Sequence, residues 1–227
     1  MHTFQGHTKT VNSLKILLNG HLASASDDKS LKIWHLKSYA CLYTLLGHTD
    51  WINCVDQLDN GLLLSAAEDR SVRVWDLEKR VCIQTLMGHQ NWILCMRVLN
   101  EGTHLFATSS VDKTIKIWSL DKCLTTLKDH TGPVYDLEVT NVSNELISCS
   151  FDRTIRIWSL ITYACIRVLN YPVTCLKVNR LNGQLICSSY YDKSIRVWDM
   201  RTGGCLQALV THKEIMKLEI CPFFLGD

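Results

Sequence analysis

Short apolar stretches separated by polar turn residues run the length of the chain, and residues 47–86 show one full cycle. Gly47-His48-Thr49-Asp50 is polar, and Trp51-Ile52-Asn53-Cys54-Val55 opens an apolar segment. Asp59-Asn60-Gly61 turns the chain into Leu62-Leu63-Leu64-Ser65-Ala66-Ala67, and Glu68-Asp69-Arg70 turns it again into Ser71-Val72-Arg73-Val74-Trp75. After Glu78-Lys79 comes Val81-Cys82-Ile83-Gln84-Thr85-Leu86. Four short β-branched or apolar segments bounded by turn residues predict four antiparallel strands. No stretch carries a 3.6-residue apolar period long enough for a helix.

Two of the strands follow rules of their own. In the first, apolar residues are spaced by three and then two, as in Val11, Leu14, Ile16; Ile93, Met96, Val98; and Val134, Leu137, Val139. That spacing predicts a bulge near the strand start, where one extra residue re-aims a side chain. The third alternates strictly: Leu31, Ile33; Val72, Val74; Ile115, Ile117; Ile155, Ile157; Ile195, Val197. Each such side chain contributes roughly 1.5–3 kcal/mol when buried, so the repeated core outweighs any single polar contact.

Polar residues keep the same beat. His7, His48, His89 and His130 stand 41 residues apart. Asp28, Asp69, Asp112 and Asp152 follow them, and then Trp34, Trp75, Trp118 and Trp158. A fifth unit keeps Asp192 and Trp198 without the histidine, and His212 stands where a sixth would open. A fixed period of this length marks a repeat architecture in which each unit is one supersecondary block.

The Gly-His pair, followed by Ser-x-x-x-Asp-[Lys/Arg]-[Ser/Thr]-[Leu/Val/Ile]-[Lys/Arg]-[Ile/Val]-Trp, resembles the WD40 repeat family from His2 to about Cys221. The resemblance implies an all-β fold, a β-propeller of WD40 repeats with four-stranded blades set radially around a channel. Five complete blades are expected, at approximately 9–46, 50–87, 91–128, 132–169 and 172–210, in a single propeller domain over 1–227. His2 to Gln5 is expected as a donated fourth-type strand, and 213–222 as the first strand of a sixth blade. The ring is therefore expected to be incomplete, the chain a truncated part of a longer propeller, and an open array to self-associate. The sequence departs from the family pattern after the tryptophan, where Asp76 and Asp199 are matched elsewhere by His35, Ser119 and Ser159. Unit five, at Leu169-Asn170-Tyr171-Pro172-Val173, is three residues short.

Charge and cysteine content change this picture little. The net charge is +2, from 24 Lys and Arg against 22 Asp and Glu, with no basic block, so no nucleic acid is expected as a partner. No apolar run reaches the roughly 18 residues of a membrane helix, and the N-terminus enters the repeat at once; a cytoplasmic or nuclear location and no membrane contact are expected. Eleven cysteines are present. Cys41, Cys82, Cys123, Cys165 and Cys205 share one slot, Cys54, Cys95 and Cys175 a second, and Cys149 and Cys187 lie in a third segment. Residues locked to the repeat lie too far apart for disulfides, and no CxxC occurs. All are expected as small buried hydrophobes, with no metal and no cofactor.

Ser, His and Asp recurring together raise the possibility of a hydrolase. Catalysis needs one nucleophile in a cleft with an oxyanion hole, whereas here the set comes in four copies, each with a tryptophan whose N–H can only donate. The residues read instead as a chain of hydrogen bonds from Trp to Ser, Ser to His and His to Asp. The family resemblance makes these tetrads structural: His7, Ser24, Asp28, Trp34; His48, Ser65, Asp69, Trp75; His89, Thr108, Asp112, Trp118; and His130, Ser148, Asp152, Trp158. Without its histidine, blade five is expected to be the loosest. No catalytic residue is expected.

The resemblance also implies a binding role for the top face, supplied by three slots per blade. The third residue after the histidine is Thr10, Trp51, Trp92 or Pro133, and the fifth is Asn12, Asn53, Leu94 or Tyr135. The residue before the Asp is Asp27, Glu68, Val111, Phe151 or Tyr191. From these, Asp27, Trp51, Asn53, Glu68, Trp92, Leu94, Tyr135, Phe151 and Tyr191 are the candidate partner-binding residues, an aromatic face with an acidic flank that includes Asp50. It suits a protein or peptide with an aromatic or apolar anchor and a basic residue nearby. The basic column Lys32, Arg73, Lys116, Arg156 and Arg196 is expected to snorkel, its stems packed and its heads in water. The reading is thus a non-enzymatic scaffold or adaptor. The alternatives are a substrate-recognition subunit, as of a ubiquitin ligase, and, from another class, a Ser-His-Asp hydrolase.

Overall fold

A computed structural model describes residues 2–99, 102–140, 144–178, 193–200 and 202–210, and the backbone of 184–189. Each repeat folds into a four-stranded antiparallel meander. Blade one comprises β1 (Val11–Ile16), β2 (Leu22–Ser26), β3 (Ser30–Trp34) and β4 (Cys41–Leu46). Blade two comprises β5 (Ile52–Gln57), β6 (Leu63–Ala67), β7 (Ser71–Asp76) and β8 (Val81–Met87). Blade three holds β9 (Ile93–Val98), β10 (Phe106–Ser110), β11 (Ile115–Trp118) and β12 (Cys123–Leu127). Blade four holds β13 (Val134–Thr140), β14 (Glu145–Ser150), β15 (Thr154–Ser159) and β16 (Cys165–Asn170). Blade five holds β17 (Cys175–Val178), β18 (Gln184–Ser189), β19 (Ser194–Asp199) and β20 (Cys205–Val210). No helix occurs among the described residues. The expected sixth-blade strand at 213–222 lies outside them.

The blades form two compact units, one within residues 1–128 and one within 129–227. In the first, Leu31, Ile33 and Leu45 of blade one pack on Ile52, Val55, Leu63 and Trp75 of blade two. In the second, Ile155, Ile157 and Leu169 of blade four pack on Val173, Leu176 and Val178 of blade five. The alternation of the third strand therefore places its apolar residues between sheets, where each stabilises by roughly 1.5–3 kcal/mol.

Each first strand of blades one to four carries the bulge that its spacing predicts. The register shifts between Val11 and Ser13, Ile52 and Cys54, Ile93 and Cys95, and Val134 and Asp136. The extra residues are Asn12, Asn53, Leu94 and Tyr135, all four in the fifth-residue slot. In all five blades the residue after the turn aspartate is left-handed: Lys29, Arg70, Lys113, Arg153 and Lys193, with φ between 54° and 71°.

A second bulge, unexpected from the sequence, falls between the third and fourth strands. In blade one Ile33 faces Tyr43 while Trp34 faces Cys41, leaving Leu42 as the extra residue. This corrects the expectation for the first cysteine slot. Cys41 and Cys205 are exposed and Cys82, Cys123 and Cys165 only half-buried, whereas Cys54, Cys95, Cys149 and Cys175 are buried. At the bulge the thiol turns back on its own strand; Cys82 Sγ lies 3.2 Å from the Gln84 carbonyl oxygen. Residues 2–5 form no strand. Phe4 instead lies edge-on to Trp34 and Tyr39, with centroids 5.6 and 5.3 Å away.

Candidate functional site

Four tetrads are assembled with the same wiring. The histidine Nδ1 lies 2.8 Å from Asp28 in blade one and 2.7 Å from Asp69, Asp112 and Asp152 in the next three. Its Nε2 lies 2.6 Å from Ser24, 2.7 Å from Ser65, and 2.8 Å from Thr108 and Ser148. The indole Nε1 of Trp34, Trp75 and Trp158 donates to the serine at 2.8 Å, and that of Trp118 to Thr108 at 2.7 Å. A carboxylate only accepts and an indole N–H only donates. The proton on histidine is therefore on Nδ1, and the serine hydroxyl donates to Nε2 while accepting from the indole. Every serine or threonine of the set is buried.

The aspartates also tie the turns. Asp69 accepts the Thr49 N–H at 3.0 Å and both the N–H and hydroxyl of Ser71, at 3.0 and 2.6 Å. Burial by itself would raise these carboxyls, but the hydrogen bonds overcome it, and Asp28, Asp69, Asp112 and Asp152 all sit below the usual carboxylate range. Burial, opposed by Asp152, holds the His130 imidazole below its ordinary value. The glycine before His7, His48 and His89 makes room for the tryptophan, while Asp129 precedes His130. A Cβ on Gly88 would stand 3.0 Å from Trp118 Cη2, and one on Gly47 3.2 Å from Trp75 Cη2.

Blade five replaces the histidine with a residue that the sequence reasoning missed. The Tyr171 hydroxyl lies 2.7 Å from Ser194 Oγ, the counterpart of Ser30 and Ser71. Its ring packs on Trp198 at 5.6 Å and lies under the Arg196 guanidinium at 4.3 Å. The backbone register also sets Cys187 opposite Arg196, whereas Ser24 and Ser65 face Lys32 and Arg73. Asp192 lies outside the described residues.

The candidate binding residues fall in two groups, one per unit. In the first, Trp51 and Trp92 are exposed, and the preceding side chains tie their backbone: Asp50 accepts the Trp51 backbone N–H at 3.0 Å and Asn91 that of Trp92 at 2.8 Å. The Glu68 N–H donates to the Trp51 carbonyl oxygen at 2.8 Å, which brings two of the slots together. Asn53 and Asn12, in the fifth-residue slot, are committed to the neighbouring blade. Asn53 donates to the Ile93 carbonyl oxygen at 2.8 Å and also bonds Glu68. Asn12 reaches Asp27 at 2.6 Å and the Ile52 carbonyl oxygen at 3.1 Å. Both carboxamides strap one blade to the next. Leu94 is half-buried. In the second unit Tyr135 and Phe151 meet edge to face at 6.4 Å, with Phe151 exposed. Tyr191 lies outside the described residues.

A groove of about 450 Å³ separates the turns of blades two and three, with Asp50, Glu68, Arg70, Gln90 and Trp92 on its walls. Burial, opposed by Asn53 and reinforced by the charges of Asp50 and Asp27, holds Glu68 above its ordinary pKa. The basic column does not line this groove. Lys32 and Lys116 donate to Thr44 and Thr126, each at 2.9 Å, while Arg73 and Arg156 reach Cys82 and Cys165 at 3.6 and 3.7 Å. The heads thus bond the fourth strand rather than standing free in water. Among the described residues no cluster of His, Cys, Asp and Glu has the arrangement of a metal site.

The sequence family described as WD domain, G-beta repeat matches residues 1–35, 39–76, 80–119, 121–159 and 163–199. Forty-one residues, 18% of the chain, are 51% identical to Transcription initiation factor TFIID subunit 5 of Drosophila melanogaster. Fifty-eight residues, 26% of the chain, are 40% identical to Myosin heavy chain kinase D of Dictyostelium discoideum. Thirty-seven residues, 16% of the chain, are 49% identical to E3 ubiquitin-protein ligase COP1 of Arabidopsis thaliana. Each match spans 6% of the relative's length. Among solved structures, the WD40 β-propeller domain of Doa1 is similar with a TM-score of 0.83 at 25% identity, over 94% of this chain and 73% of that one.

Proposed function

The chain belongs to the WD-repeat family, whose members are in general interaction scaffolds, and we propose that it is a non-enzymatic scaffold or adaptor holding a protein or peptide partner. The observation that carries this is the pair Trp51 and Trp92, both exposed, with backbone N–H groups held by Asp50 and Asn91, beside the acidic groove at Glu68. Exposed tryptophans can bury a large apolar area against a partner. The carboxylates alongside favour a ligand with a Lys or Arg next to an apolar or aromatic anchor. Tyr135 and Phe151 offer a second aromatic contact in the other unit.

The non-enzymatic reading is supported by the burial of Ser24, Ser65, Thr108 and Ser148, whose hydroxyls are already committed to histidine and tryptophan. The relatives' names point to three different activities, and what they share with this chain is about one repeat or little more, so no one activity is favoured. The same holds for a ubiquitin-ligase subunit. No helix among the described residues is long and apolar enough to cross a membrane, and the proposed location is cytoplasm or nucleus.

Selection from a random peptide display library tests the proposal. Bound peptides are expected to pair an aromatic or apolar residue with Lys or Arg. The Trp51→Ser, Trp92→Ser double variant, folded by circular dichroism, is expected to lose them, and Glu68→Gln to lose the basic preference. Unchanged selection by the double variant would refute the site.

A further inference from the structure

The groove between blades two and three holds charges of both signs that do not satisfy one another. Blade two contributes Asp50, Glu68 and Arg70, and blade three Gln90 and Trp92. Asp69 lies there too, but its oxygens are taken by His48, Thr49 and Ser71. Arg70 forms no ion pair with Asp50 or Glu68, and among the described residues its guanidinium has no hydrogen-bond partner. The charges felt by Glu68 are those of Asp50 and Asp27, both of its own sign.

Blade one shows the same position with its cation engaged. Lys29, the counterpart of Arg70 in the same left-handed turn, crosses to blade two and donates to the Thr49 carbonyl oxygen at 2.7 Å. Arg70 makes no such bond to blade three. A planar fork of five N–H donors therefore stands open on the groove beside two carboxylates.

We propose that Arg70 reads a carboxylate of the ligand, so that the peptide held in this groove carries an acidic side chain close to its basic one; this rests on the reading of Trp51, Trp92 and Glu68 as the binding site. A guanidinium meets a carboxylate with two parallel N–H···O bonds. Each ligand charge also relieves the repulsion that the other would meet. Without the acid, the ligand cation faces Arg70; without the cation, the ligand acid faces Glu68 and Asp50. A phosphate suits the groove less, because its charge of about −1.5 to −2 meets a single guanidinium beside two carboxylates. With Trp92 48% exposed alongside, the ligand is a segment with an aromatic or apolar residue, a Lys or Arg, and an Asp or Glu close together.

The test repeats the peptide selection on the full chain and on Arg70→Gln, and measures selected peptides by fluorescence polarisation. The unmodified chain is expected to enrich Asp or Glu at a fixed spacing from the basic residue. Arg70→Gln is expected to lose that enrichment while keeping the aromatic and basic ones, and Arg70→Glu to replace the acid by a second Lys or Arg. Changing the acid to its amide in a selected peptide is expected to weaken binding about 2- to 5-fold to the unmodified chain and to leave binding to Arg70→Gln unaltered. If Arg70→Gln fails to fold, Arg70→Gly, which suits the left-handed turn, replaces it. Peptides that depend on Trp51 and Trp92 but show no acidic preference, or one that survives Arg70→Gln, overturn this proposal and leave the binding site standing. A phosphoserine that binds more tightly than Glu at the acidic position overturns it as well. Peptides that bind the Trp51→Ser, Trp92→Ser variant equally well, or a selection that yields no peptide, overturn both.

Discussion

Thr108 separates the hydrogen-bond wiring of a tetrad from its packing, because it alone among the four oxygen positions carries a methyl group. Thr108→Val keeps the shape and deletes the oxygen. It removes the bonds to His89 Nε2 and Trp118 Nε1, at 2.8 and 2.7 Å, and leaves an indole N–H without a partner at a residue 1% exposed. The buried indole N–H and the imidazole Nε2 both lose their partner, and at about 1–2 kcal/mol each they give an expected loss of about 2–4 kcal/mol. Thr108→Ser keeps the oxygen, as Ser24, Ser65 and Ser148 do, and loses one methyl group, worth about 1 kcal/mol. Because the chain forms two units, a single melting temperature mixes their responses. Native-state hydrogen exchange at the β10 and β11 amides reads blade three directly. Protection there is expected to fall about 30- to 1,000-fold for Val and about fivefold for Ser. If Ser costs as much as Val, packing rather than wiring holds the blade, and the argument for the tetrad fails.

The tetrad aspartates have depressed folded pKa values, so their stabilisation is complete above about pH 4 and is lost as pH falls below that. His130 is also depressed; its unfolded form takes up the proton first, so stability at blade four is expected to begin falling below about pH 6.5. Hydrogen exchange at β14 and β15 from pH 8 to pH 5 is the check, and His130→Gln should flatten that part of the profile. Tyr171→Phe deletes the hydroxyl on Ser194 and keeps the ring under Arg196. It is expected to cost about 0.5–1.5 kcal/mol, read as exchange at β19. Gly132→Ala would set a Cβ 2.9 Å from the Asp152 backbone nitrogen, which has little freedom to move. It should destabilise more than Gly47→Ala, whose nearest neighbour is the tip of Arg73 at the same distance; urea titration of each variant compares them.

The strands and tetrads were legible because the period places the same side chain in the same environment in each blade, as with Trp34, Trp75, Trp118 and Trp158. Features that depend on partners in the next blade were not legible. Asn12 and Asn53 read as surface amides, yet each finds a carbonyl oxygen 40 residues away. The first cysteine slot was misread because a thiol is compact and apolar wherever it sits. Only the register shift at the fourth strand shows that Cys41 and Cys205 face outward. Tyr171 was missed because the shortened loop of unit five removes it from alignment with the histidines, although its hydroxyl reaches the counterpart of the serine that His7 approaches.

The first-strand bulge has a consequence for how such a chain diversifies. Val11, Ile52, Ile93 and Val134, just before it, are paired into the ladder and hold the blade to one kind of residue. The bulged position stands outside the pairing and is occupied by two asparagines, a leucine and a tyrosine without any change to the strands around it. The ladder therefore tolerates different side chains at this position, and where the residue is asparagine, as at Asn12 and Asn53, it serves instead to tie the blade to the next one.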